Sequence, residues 1–94
     1  MSVVIIGGNE RMSARYEEVC QGYGCEAKIF TKEKGSIKKK IGKPDLIILF
    51  TNTVSHKMIL SATAEAKKHS IRVERVHSSS VNALQQLLES KVTA

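Results

Sequence analysis

Two short runs in this chain are apolar at every position, Val3-Val4-Ile5-Ile6 and Leu46-Ile47-Ile48-Leu49-Phe50. A strand with one wet face alternates polar and apolar residues, so an unbroken apolar run predicts a strand covered on both sides. Such strands belong to parallel sheets, where crossover helices lie on both faces. Helix-period segments stand where those crossovers should run. Met12, Tyr16, Val19, Cys20 and Tyr23 recur at three- and four-residue steps, and Gly22 and Gly24 end that helix. Val54, Met58, Ile59, Ala62 and Ala66 mark a second, which finishes in Lys67-Lys68-His69, cations suited to a helix C-terminus. Val81, Leu84, Leu87 and Leu88 mark a third, opened by Ser78-Ser79-Ser80. A further short helix is predicted from Gly35-Ser36 through Ile37 and Ile41, stopped by Gly42 and Pro44.

Two more segments read as strands, 25–30 and 71–76, but charged residues interrupt both: Glu26 and Lys28 in one, Arg72, Glu74 and Arg75 in the other. Charge inside a strand is a mark of sheet edges. With apolar strands central, charged strands outside and right-handed crossovers, the simplest order is 2-1-3-4. The expectation is therefore a single α/β domain over residues 1–94. It has about four parallel strands and crossover helices in three layers, in the Rossmann-like or flavodoxin-like manner.

That order nominates a site. Open α/β sheets bind ligands at the carboxyl ends of their strands, where the strand order reverses. Here the reversal lies between the first and third strands. Their loops supply Gly7, Gly8, Asn9 and Arg11, then Thr51, Asn52, Thr53 and His56, and the loop after the fourth strand adds His77, Ser78, Ser79 and Ser80. Glycines allow close backbone approach, helix N-termini attract anions, and an arginine clamps an oxyanion through two hydrogen bonds. These residues point to a small anionic ligand, phosphate- or nucleotide-like. Each also has a plainer reading. Gly-Gly after a strand can be only a tight turn, Ser or Thr before a helix only a cap, Arg11 a solvated residue, and either histidine a neutral hydrogen-bonding side chain. Lys38-Lys39-Lys40 reads as the exposed face of a short helix.

Composition narrows the function classes. Lys and Arg number 15 against nine Asp and Glu, a formal net charge of +6, which attracts anions of every kind without choosing among them. No apolar run approaches the roughly 20 residues of a membrane span. The chain enters its first strand at once, without the basic start and cleavage site of a leader, so a cytoplasmic protein is expected. Cys20 and Cys25, five apart, fit neither a redox pair nor a metal knuckle and are read as packing residues. Neither G-x-G-x-x-G nor G-x-x-x-x-G-K-[ST] occurs. The acidic residues of a phosphoacceptor site are missing from the strand ends, and no G-x-S-x-G presents a serine nucleophile. The balance leans away from an enzyme.

With those residues in view, the chain resembles a family of small bacterial proteins catalogued as a domain of unknown function. The likeness rests on the opening strand running into Gly-Gly and Arg11, on Thr51-Asn52-Thr53-Val54-Ser55-His56, and on the closing His77-Ser78-Ser79-Ser80. It implies a Rossmann-like domain and brings no activity and no known cofactor. Beside the anion-binding or sensory reading stand three others. One is a homodimeric interaction module using an edge strand or the Leu84-Leu87-Leu88 helix. Another is non-specific nucleic-acid binding, disfavoured by only two Phe, two Tyr and no Trp, too few for base stacking. The last is haem held by His56 or His77.

Overall fold

The computed structural model describes residues 1–31 and 41–92. Its elements are β1 (Ser2–Ile6), a single 3-10 turn (Glu10–Met12), α1 (Ser13–Gly22), β2 (Glu26–Phe30), β3 (Leu46–Phe50), α2 (His56–Lys68), β4 (Arg72–Val76) and α3 (Val81–Val92). The four strands form one sheet in the order β2-β1-β3-β4. All three pairings are parallel, and Val3 stands between Ala27 and Leu46 in register. This is the expected topology. Of the short helix anticipated from Gly35 through Ile41, all but Ile41 falls outside the described residues. Lys38-Lys39-Lys40 lies there too.

Alternate side chains of the central strands feed two separate cores. Val3, Ile5, Leu46, Ile48 and Phe50 face α1 and α3, joining Tyr16, Cys20, Leu84 and Leu88. Val4, Ile6, Ile47 and Leu49 face the other way, against Ile41 and the Met58, Ala62 and Ala66 stripe of α2. Every residue of β3 is fully buried, at a gain of roughly 1.5–3 kcal/mol for each large side chain. Tyr16 meets Phe50 with ring centroids 5.3 Å apart, inside the range where aromatic pairs attract.

Both edge strands begin one residue later than their sequence pattern. Cys25 donates its N–H to the Cys20 carbonyl at the end of α1, 2.9 Å, and Ile71 donates to Ala66 at the end of α2, 2.8 Å. These residues close the preceding helix before the strand opens. At the amino end of the sheet the Ser2 N–H donates to the Asp45 carboxylate, 2.7 Å, and the Asp45 N–H to the Ser2 carbonyl, 2.8 Å. Among the described residues no helix is long and apolar enough to cross a membrane.

Candidate functional site

The parallel strands bring the ends of β1, β3 and β4 to one rim of the sheet. Gly7 and Gly8 leave β1 with φ of +102° and +88°, backbone that glycine adopts without strain. A Cβ on Gly7 would stand 2.6 Å from Val54 Cγ1 and 2.8 Å from Thr53 Oγ1, and one on Gly8 would stand 2.8 Å from the Tyr16 ring. The loop after β3 comes close to the loop after β1 because Gly7 lacks a side chain, and the bare Gly8 leaves room for the Tyr16 ring of α1. Gly8 N–H donates to Thr53 Oγ1, 2.7 Å, and Thr53 Oγ1 donates to the Phe50 carbonyl, 3.1 Å. The Gly7 N–H is taken by the Phe30 carbonyl at 2.9 Å.

The third loop is tied in from below. Tyr16, fully buried in α1, donates its hydroxyl to the Ser79 carbonyl at 2.6 Å and accepts a longer bond from the Asn9 N–H, 3.4 Å. Read from the sequence, Tyr16 is a core residue on a helix face. Nothing in that periodicity shows that its hydroxyl reaches two loops, one of them 63 residues away in the chain. Thr51 completes the rim, its N–H donating to the Val76 carbonyl, 2.9 Å.

Several of the candidate polar groups have partners within the chain. Asn9 Oδ1 accepts from the Arg11 N–H, 2.9 Å, and Ser55 caps α2 by accepting from Met58, 3.2 Å. Ser80 caps α3 through the Ala83 N–H, 3.1 Å, and Ser78 accepts from the Ser80 N–H, 3.3 Å. For Gly7, Gly8, Asn9, Thr53, Ser78 and Ser80 the structure therefore shows turn, clasp and cap roles. Ser79 contributes its carbonyl. The side chains of Arg11, Asn52, His56 and His77 are different. All four residues are exposed, and none of their side chains has a hydrogen bond or ion pair among the described residues. His56 opens α2, so its ring lies in the first turn of a 13-residue helix, where the dipole attracts anions.

Cysteine offers no nucleophile. Cys20 and Cys25 are free and buried, and burial, with Cys25 and Glu17 nearby, pushes the Cys20 thiol up to about 11. A thiol so shifted stays protonated and unreactive at neutral pH. Among the described residues no three His, Cys, Asp or Glu side chains are grouped to hold a metal ion. A groove of about 320 Å³ lies between α1 and α3, with Arg15, Glu18, Tyr23, Val81 and Gln85 in its walls. Sequence periodicity showed no sign of it, because a groove between helices depends on how far apart they sit.

A four-stranded parallel sheet in the order 2-1-3-4, helices on both faces and loops gathered at the carboxyl rim together define a small Rossmann-like domain. The chain belongs to the bacterial family described as an uncharacterized protein conserved in bacteria (DUF2325), whose model matches residues 2–91. No curated protein and no solved structure matches it.

Proposed function

We propose that this domain is a receptor for a small anion, phosphate- or nucleotide-like, bound at the carboxyl rim of the sheet. The observation that carries the reading is the division of labour among the rim's polar groups. Hydroxyls and backbone groups of the rim are bonded to one another, while the side chains of Arg11, Asn52 and His77, and of His56 in the first turn of α2, have no partners among the described residues. A rim already knitted together loses little conformational freedom when a ligand arrives, which favours binding. Arg11 is the anion clamp, Asn52 and the imidazoles supply further hydrogen bonds, and the N-termini of α2 and α3 add their dipoles. The net charge of +6 favours an anion over a neutral ligand. Two free buried thiols support a cytoplasmic setting.

The test is thermal unfolding against sulfate, phosphate, nucleotides, sugar phosphates and haem, on wild type and Arg11→Ala. A ligand at about 100 times its Kd adds roughly 2.7 kcal/mol, a rise on the order of ten degrees for a domain this small. A rise with one anion that disappears in Arg11→Ala is expected. A flat panel overturns the reading. A Soret band on haem addition that is lost in His56→Ala or His77→Ala replaces it with haem binding. Nucleic-acid binding would show instead as steeply salt-dependent association with little sequence preference.

A further inference from the structure

Among the described residues, the order β2-β1-β3-β4 leaves the outer edge of β4 without a strand beside it. We infer that this edge pairs with β4 of a second copy of the chain, antiparallel about a two-fold axis at Val73, joining two sheets into one of eight strands. Such a pairing does not depend on the anion reading. Its basis is which backbone groups face outward and how charge alternates along the strand.

Thr51 N–H donates to the Val76 carbonyl, 2.9 Å, so Val76 turns its backbone groups toward β3. By strand alternation Arg72 and Glu74 do the same, while Val73 and Arg75 turn theirs outward. A two-fold pairing must bring outward residues opposite outward residues, which leaves few registers. Centred on Arg72 it sets that arginine against its own copy, centred on Glu74 it sets two glutamates together, and centred on Arg75 two arginines. Like charges directly opposed are destabilising. Centred on Val73, the same strand sets Arg72 opposite the partner's Glu74, twice by symmetry, and Val73 against the partner's Val73. Each Val73 N–H then meets the partner's Val73 carbonyl, and each Arg75 N–H the partner's Ile71 carbonyl. Ile71 itself donates to Ala66, so the seam carries four backbone bonds.

Side-chain placement supports the same register. Arg72 is exposed, and Glu74 is half-buried and held by Lys91 Nζ at 2.9 Å. A fixed carboxylate costs a partner less ordering than a free one, and it would stand between its own Lys91 and the incoming arginine. The opposite edge, β2, carries Glu26 and Lys28 around Ala27 in the same spacing. It would place alanine at the two-fold axis where β4 places a β-branched valine, and lysine where β4 has the two-pronged arginine. The other apolar contact considered from the sequence, the leucines of α3, is consumed within the chain. Leu84 and Leu88 are fully buried in its own core, with Leu87 packed against it.

Analytical ultracentrifugation tests the inference. The wild type should sediment as a dimer at tens of micromolar. Arg72→Glu and Glu74→Arg should each weaken self-association by roughly tenfold or more, two pairs being turned from attraction to repulsion. An equimolar mixture of the two variants should dimerise again. In the mixed dimer the carboxylate introduced by Arg72→Glu opposes the guanidinium introduced by Glu74→Arg, and the remaining native pair is intact. Circular dichroism checks that both variants are folded. A monomeric wild type, variants that dimerise unchanged, a mixture that stays monomeric, or a dimer lost on Lys28→Glu but not on Arg72→Glu would each overturn it.

Discussion

Gly8 shows what one absent side chain does here. Its φ is +88° and a Cβ would press on the Tyr16 ring at 2.8 Å. Gly8→Ala therefore meets backbone strain and a clash together, and should lower stability by about 1–3 kcal/mol, read from the denaturation midpoint. Tyr16→Phe asks a separate question, since it keeps the ring against Phe50 and removes only the hydroxyl bonded to the Ser79 carbonyl at 2.6 Å. Removing one partner of such a bond costs roughly 1–2 kcal/mol, and the loop after β4 should exchange its amides faster. Cys20 makes an alkaline prediction. Its thiol is pushed up to about 11 in the folded chain, chiefly by burial, from an ordinary value of 9.0. Between those values the unfolded chain has released a proton that the folded chain still holds, so stability falls as pH rises through that window. Urea titrations at several alkaline pH values should show a shallower decline in Cys20→Ala than in wild type. At this scale the sequence reveals that Gly7-Gly8 is special, but not why. A ligand's approach and a neighbouring loop's approach both call for glycine, and only the positions of Thr53, Val54 and Tyr16 separate them.

Elements were more legible than the contacts between them. The unbroken apolar runs of β1 and β3 and the charged alternation of β2 and β4 are local patterns, and the strand order follows from them because burial is decided by polarity. The ends were less so. Cys25 and Ile71 are apolar or nearly so and look like first strand residues, yet each spends its N–H on the helix before it. Side-chain polarity carries no record of that choice. Serine before α3 was readable as a cap, and the structure gives the cap to Ser80, which accepts from Ala83 at 3.1 Å. Ser80→Ala should lower stability by about 1 kcal/mol, whereas Ser80→Asp should keep the cap and favour the helix dipole. If Ser80 is only a cap, Ser80→Asp also leaves any anion response of the rim largely intact apart from the added charge. A loss of response far beyond that in Ser80→Ala would mean that the hydroxyl meets the ligand itself.

A folded unit of 94 residues buries only roughly 60–65% of its unfolded surface, so it has little stability in reserve and any association that forms only in the folded state will show in its melting. Pairing through β4 makes folding a dimer equilibrium, and the melting temperature then depends on concentration. With about 0.7 kcal/mol of unfolding enthalpy per residue, two chains together absorb on the order of 130 kcal/mol, and a tenfold dilution should lower Tm by about 4 °C. Arg72→Glu should lose most of that slope and melt at the temperature the wild type approaches when most dilute. The same experiment separates the edge from the rim. Arg11→Ala should keep the full concentration dependence, because Arg11 lies after β1 and not on β4, and a bound anion should raise every point of the wild-type series without changing its slope. A slope altered by the anion would instead mean that the rim and the β4 edge are coupled, with β4, whose C-terminal end carries His77 and the serine loop, as the shared element.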